Sequence, residues 1–435
     1  MTLIGPLRNQ LWYSTLTVVG LALLAKLCGA FKEVVMAKEL GTSYLVDQFV
    51  FAFSVATWPA ALATSILTIS LTPLLAKLKR RNDDATQAFM AQLWGGAVLG
   101  SLGLALLFGL SFPLLSPVSE AGGTRLAVMV GMVTFLSCMS ALATVILMCR
   151  GNQIGTLLEG LPSLILGALL VVAIWGDDVT LIYGLILGMS LQLAMLCLMH
   201  HRHVGAISLS LPQRSAQWSS LGTGLGYTSA GYAIMSSTPM IELAIASSFP
   251  EGSVASLGYA ARVTALGTGL LATAVNRSAI THFCDVRSKD LSGPTTWVGI
   301  LAAFSLVSFA LSLVLMYFAP ELVSLIFQRG RFDSQAALTV THLMRWSVAQ
   351  LGPYVATVVL CAYLSANGGF KQIFIACLIC FMGRLLCASW GSQLYGLDAI
   401  AAAPVAGHLA MFAYLLVAVS TRAIPSAFER SSLQT

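Results

Sequence analysis

The sequence predicts an all-α integral membrane protein, with about twelve transmembrane helices in two six-helix halves around a central cavity. Of its 435 residues 57% are hydrophobic and 9% charged, against about 25% charged in a soluble domain. A mean hydropathy of +0.85 is more apolar surface than one soluble core hides. The apolar runs have helical length and are broken by Gly and Pro, unlike the ten-residue alternation of a membrane β-barrel. The longest polar interruption, HHRHVGAISLSLPQRSAQW at 200–218, separates two sets of six runs. The expected organisation is therefore an N-terminal half 1–203, a cytoplasmic linker 204–218 and a C-terminal half 219–435.

Windows of about twenty residues place spans near 10–31, 45–76, 89–115, 126–149, 155–175 and 179–199 in the first half. The second half reads as 219–246, 254–280, 296–319, 338–365, 370–394 and 398–421, followed by the polar tail AIPSAFERSSLQT. No cleavage site of the A-x-A type follows the first run, so span one is expected to stay attached. Tight Gly/Asn turns, CRGNQIG and SANGGFK, join spans four to five and ten to eleven. Such an internal repeat, with parallel six-span halves, places a substrate site between them. Pro59, Pro162, Pro239, Pro353 and Pro404 fall within spans, where proline packs, kinks or provides a bend.

Orientation follows from the basic residues. With the N-terminus inside, the cytoplasmic segments hold 14 Lys and Arg and the opposite loops 5, while Lys26, Arg262, Arg345 and Arg384 lie within spans. The positive-inside rule then puts both termini in the cytoplasm. The net charge of +6 reflects that rule and attraction to anionic headgroups, and calls for no nucleic acid.

Charges inside apolar runs carry the functional information, because a lone charge at mid-bilayer costs about 2.5–3.5 kcal/mol on insertion scales. In the first half these are Lys26, Lys32, Glu33 and Asp47; in the second, Glu242, Arg262, Arg345 and Arg384. Lys26 stands about 24 Å up a helix that starts at the inner face and shares a helical face with Glu33, seven residues on. Lys32 borders that face, where it either enters a cavity or snorkels to the outer interface. Asp47 and Glu242 either pair with neighbouring cations or carry a proton or sodium ion. The planar fork of Arg262 suits a phosphate oxygen. Arg345 and Arg384 are expected to neutralise Glu242.

Enzyme chemistry finds little support, since no metalloprotease, Walker or G-x-S-x-G motif occurs. Cys377 and Cys380 form a C-x-x-C inside FIACLICFMG, where cysteine behaves as a small buried hydrophobe. The HHRH run at 200–203 reads as a solvated basic loop. No cofactor is expected, and transport must draw on membrane potential, a proton or sodium gradient, or the substrate itself.

The stretch GAFKEVVMAKELGTSYLVDQFVFAF resembles the N-terminal signature of the MurJ/MviN family of lipid-linked saccharide flippases. SLIFQRGRFDSQAALTV is similar to that family's loop between spans nine and ten, and GSVASLGYAARV to its entry into span eight. The resemblance implies the multidrug/oligosaccharidyl-lipid/polysaccharide exporter fold, alternating access, a cationic cavity and polyprenyl-diphosphate-linked sugars as substrates, above all lipid II. It places Lys26 and Lys32 at positions that are usually arginine, makes Asp47 the matching acid and Arg262 the span-eight arginine. Pro59, Ala60 and Ala61 stand where the family's lipid II flippases carry an arginine pair, and Ala265 where they carry an acid. Those flippases commonly have fourteen spans. Together these departures lead us to expect a relative serving a surface-glycan pathway.

The expected function is thus a flippase in the bacterial cytoplasmic membrane, with Lys26, Lys32 and Arg262 on the diphosphate, and membrane lipid and glycan-assembly proteins as partners. A cation-coupled exporter of small molecules, using Asp47 and Glu242, and a non-transporting scaffold for glycan assembly are the alternatives.

Overall fold

A computed structural model describes residues 4–78, 84–115, 120–150, 152, 154–172, 177–213, 218, 226–288 and 296–421. The tail beyond Thr421 and residues 214–217 of the expected linker lie outside the described residues, as does the start of the seventh expected span. Among the described residues every regular element is helical, and nine stretches are long and apolar enough to cross a membrane. The protein is an all-helical membrane protein. The first, seventh and eighth expected spans fall in the helices Ile4–Leu40, Tyr227–Ala246 and Ser253–Ser288.

In the N-terminal region the helices are α1 (Ile4–Leu40), α2 (Tyr44–Leu78), α3 (Asp84–Leu115), α4 (Glu120–Cys149), α5 (Ile154–Leu158), α6 (Leu161–Val172) and α7 (Asp177–His203). They are followed by α8 (Tyr227–Ala246), α9 (Ser253–Ser288), α10 (Thr296–Tyr317), α11 (Ala319–Phe327), α12 (Ser334–Val348) and α13 (Leu351–Ala366). The chain closes with α14 (Phe370–Leu386), a π turn at Cys387–Gly391, α15 (Ser392–Tyr395) and α16 (Leu397–Ser420).

Proline decides which spans stay whole. Spans five and ten, expected to be continuous, each break in two: at Glu159–Gly160 before Pro162, and at Ala349–Gln350 before Pro353. A proline lacks the N–H of a helix interior but is tolerated in a first turn, so each begins a new helix. Pro239 and Pro404 instead lie inside unbroken helices.

Two compact units make up the chain. The first comprises 1–229, 246–256 and 324–337; the second comprises 230–245, 257–323 and 338–435. In the first unit α4 is central, packed against α2, α3 and α7, while α6 lies along α1 and α7. Trp94, Leu142, Ile146 and Leu196 fill the core. In the second unit α13, α14 and α16 pack together, and α10 packs on α13, around Val359, Leu360, Cys380 and Leu415. Cys377 and Cys380 are both buried in this core. Leu110 and Leu114 on α3 and Leu306 on α10 are exposed, as lipid-facing helix surfaces require, because the backbone there is satisfied within the helix.

The HHRH run differs from the solvated loop expected of it. Helix α7 continues through it, and His200 is buried, accepting from the Trp94 indole at 3.3 Å, while His201, Arg202 and His203 are exposed. The chain beyond then lies along α3: Ser210 N–H donates to the Ala91 carbonyl at 3.1 Å, and the Trp218 indole to Gln92 Oε1 at 2.9 Å.

Candidate functional site

Within the first unit a cavity of about 190 Å³ opens between α1, α2, α4, α6 and α7. Its one lysine is Lys32, which is buried. The Lys32 ammonium sits 3.0 Å from the Glu33 carboxylate and 5.0 Å from the Phe53 ring centroid, with Phe49 at 5.8 Å. Phe49 and Phe53 are one turn apart on α2 and stack at 6.1 Å. A charge buried this deeply needs a paired anion and favourable ring faces to remain ionised. The expected alternative for Lys32, snorkelling to the outer interface, does not describe its position.

Close helix contact holds this wall. A Cβ at Gly167 of α6 would lie 2.7 Å from the Phe31 ring and 3.4 Å from the Lys32 Cα, so a side chain there would have to displace the Phe31 ring. On the α2 side, Ala60 and Ala61, at the positions that the family resemblance matches to an arginine pair, line the cavity. Their short side chains leave room rather than charge. Ser137, Ser140 and Thr144 line it from α4, and Gln192 from α7.

Glu159 also lines the cavity, at the break between α5 and α6, and is open to it. Sequence reasoning missed this acid. The signal lay in LLEGLP, a charge flanked by Gly and Pro inside an apolar run, where the helix ends and turns a polar group inward. Lys26 does not line the cavity; it is half-buried on α1.

The remaining predicted residues stand elsewhere. Asp47 is buried in α2 and accepts from the Gly252 N–H at 2.7 Å and the Ala255 N–H at 2.6 Å. It therefore caps the N-terminus of α9 from a distant helix, where the free amides and the helix dipole favour an anion. In the second unit Arg384 on α14 holds Glu242 on α8 through two bonds, from Nε at 2.8 Å and Nη2 at 2.7 Å. Arg345 does not reach Glu242; it is exposed, and its Nε donates to the Met316 carbonyl at 3.3 Å. Arg262 is exposed on α9. One buried cation and one carboxylate on a hydroxyl-lined wall can hold an anionic group and hydrogen-bond a neutral one.

Comparison with known proteins agrees with this architecture. The model of the family described as lipid II flippase MurJ matches residues 36–432. A lipid II flippase MurJ of Burkholderia cenocepacia is 26% identical over 391 residues, covering 83% of this chain and 74% of the relative. Among solved structures, a lipid II flippase MurJ in an inward closed conformation superposes with a TM-score of 0.79 at 16% identity, over 93% of this chain and 88% of that one. An inward-facing multidrug resistance MATE family transporter of the MOP superfamily gives 0.69 at 15% identity, over 91% and 94%. At these identities the structures speak for the fold, whereas the family match spans nearly the whole sequence, and by it the chain belongs to the lipid II flippase MurJ family.

Proposed function

We propose that this protein is a membrane transporter that flips a polyprenyl-diphosphate-linked saccharide across the bacterial cytoplasmic membrane by alternating access. The observation that carries the proposal is the buried Lys32 on a cavity wall, in a chain of the MurJ family. Glu33 and the two phenylalanine rings surround the Lys32 ammonium. A diphosphate entering the cavity offers that ammonium a second anion through a charge-assisted contact. Translocation follows only if this contact is stronger in one access state than in the other. Lys26, elsewhere on α1, and Arg262, on α9, are the further candidate anion contacts.

Membrane potential supplies the drive in this proposal. Each elementary charge moved through 100 mV is worth about 2.3 kcal/mol, and an inside-negative potential favours outward movement of an anionic headgroup. Asp47 and Glu242, the two acids expected as ion sites, both already hold protein partners. Both termini are assigned to the cytoplasm, and the glycan to a surface-polysaccharide or peptidoglycan-type pathway whose assembly enzymes are the neighbouring partners.

The test is translocation of a fluorescent polyprenyl-diphosphate-saccharide in vesicles holding the full chain. The wild type is expected to move the lipid, faster with an imposed inside-negative potential, and Lys32→Ala to lose most of that rate while retaining its fold. Unchanged translocation in Lys32→Ala and in a Lys26→Glu/Arg262→Glu variant would remove the assigned roles.

A further inference from the structure

We infer that the extended segment 204–213 is a phospholipid site at the membrane surface, in which Arg202 takes the headgroup phosphate and Leu209 and Leu211 enter the edge of the acyl chains. The inference goes beyond the flippase reading and needs only the membrane class of the protein.

The segment has a seat built for it on α3. Ser210 N–H donates to the Ala91 carbonyl at 3.1 Å. A Cβ at Gly95 would overlap the Ser210 carbonyl, and one at Gly96 would meet Pro212 Cγ at 3.2 Å. Gln92 Oε1 accepts from the Gln213 N–H at 3.3 Å and from the Trp218 indole at 2.9 Å. Val204 and Ile207 pack against the core of the first unit. The chain therefore has one course here, and that course leaves Leu209 63% and Leu211 70% exposed.

The position of the seat on α3 sets its depth. The apolar span Gln87–Leu114 has 28 residues, about 42 Å of helix, against a hydrocarbon core of about 30 Å. Its open apolar face runs from Leu99 through Leu106 and Leu110 to Leu114, so the excess length falls at the Gln87 end. Ser210 meets α3 one turn before Leu99, at the hydrocarbon boundary. Among the described residues the Leu209 and Leu211 N–H groups have no acceptor. Unpaired backbone is excluded from hydrocarbon. The main chain thus stays among headgroups and water while the two leucine side chains reach inward, as in other interfacial segments.

Charge selects the headgroup. His201, Arg202 and His203 are exposed where α7 gives way to the segment, and no acid occurs between His200 and Gln213. A guanidinium fork matches phosphate oxygens, and a basic segment at the surface favours an anionic lipid. A soluble protein would have to displace the bilayer from leucines that lie next to the lipid-facing stripe of α3, so phospholipid is the better-matched occupant.

The experiment attaches a nitroxide at Leu209→Cys in the full chain, in nanodiscs of phosphatidylcholine with and without phosphatidylglycerol, and subtracts the signal of the labelled chain without that substitution. Oxygen is expected to relax the label more strongly than a water-soluble nickel complex does, as at the acyl boundary. Leu211→Cys gives a second label with the same expectation. Native mass spectrometry is expected to show that the chain retains phosphatidylglycerol over phosphatidylcholine, and that Arg202→Gln lowers this preference about fivefold. Thermal unfolding of Arg202→Gln at the wild-type temperature would separate lost lipid from lost fold. Labels that the nickel complex relaxes as fully as a free nitroxide would overturn the inference. Labels shielded from both reagents in detergent and nanodiscs alike would overturn it too, because protein would then be covering the leucines. An unchanged lipid preference in Arg202→Gln removes the headgroup contact and sinks the site. None of these readouts depends on translocation, so failure of the flippase reading leaves the inference to stand or fall alone.

Discussion

Arg384 grips both carboxylate oxygens of Glu242, its Nε at 2.8 Å and its Nη2 at 2.7 Å, with each side chain at most 13% exposed. The two residues lie 142 positions apart and join α8 to α14 inside the second unit. Removing one partner of such a pair strands a charge, at about 3–5 kcal/mol, whereas replacing both by apolar groups is often nearly neutral. Glu242→Leu and Arg384→Leu are each expected to lower the unfolding temperature markedly. The double variant should recover most of that loss, and thermal unfolding in detergent measures it.

The same geometry bears on coupling. With both Glu242 oxygens bound to a fixed guanidinium and both Asp47 oxygens bound to backbone N–H groups, neither acid offers a free ligand set to a sodium ion. Lipid translocation in vesicles is expected to run at the same rate in sodium and potassium buffers and to respond to an imposed potential. A several-fold sodium requirement would contradict the assignment of both acids.

Asp47 ties α2 to the start of α9. Hydrogen bonds to a charged acceptor are worth about 1.5–3 kcal/mol each, and Asp47→Ala loses two of them and leaves two buried amides unpaired. We expect a loss of about 3 kcal/mol or more. Amide exchange should quicken at Gly252 and Ala255 before it does in α4. Asp47→Asn, which retains one acceptor oxygen without the charge, should fall between.

How far the sequence reached follows from the range of each contact. Membrane class and most span positions were legible, because hydropathy and proline act locally. The burial of Asp47 was legible too, from its apolar neighbours YLV and FVF. Its partners were not, since Gly252 and Ala255 lie more than 200 residues away. Glu242 had two candidate cations in the second half, and spacing alone did not separate Arg384, which is buried, from Arg345, which is exposed on α12. Glu159 escaped because a single acid in a run of helical length was read with the helix, although Gly160 and Pro162 mark the place where that helix stops.

A last prediction concerns the loop Arg329–Phe332, which docks on the end of α1. Arg331 N–H donates to the Lys38 carbonyl at 2.8 Å, and Gly330, at φ +60°, sits so close that a Cβ there would overlap the same carbonyl. Two penalties therefore meet at one position: left-handed backbone, about 1–2 kcal/mol for a residue with a Cβ, and a collision with backbone that has no rotamer to yield. Gly368 has a similar φ of +72° but open space around it, so Gly368→Ala carries the first penalty alone. Gly330→Ala should consequently destabilise the protein by clearly more than Gly368→Ala in thermal unfolding. It should also weaken protection of the Arg331 amide against exchange. Equal effects of the two substitutions would mean that the loop yields, and that its contact with Lys38 contributes little to the stability of the first unit.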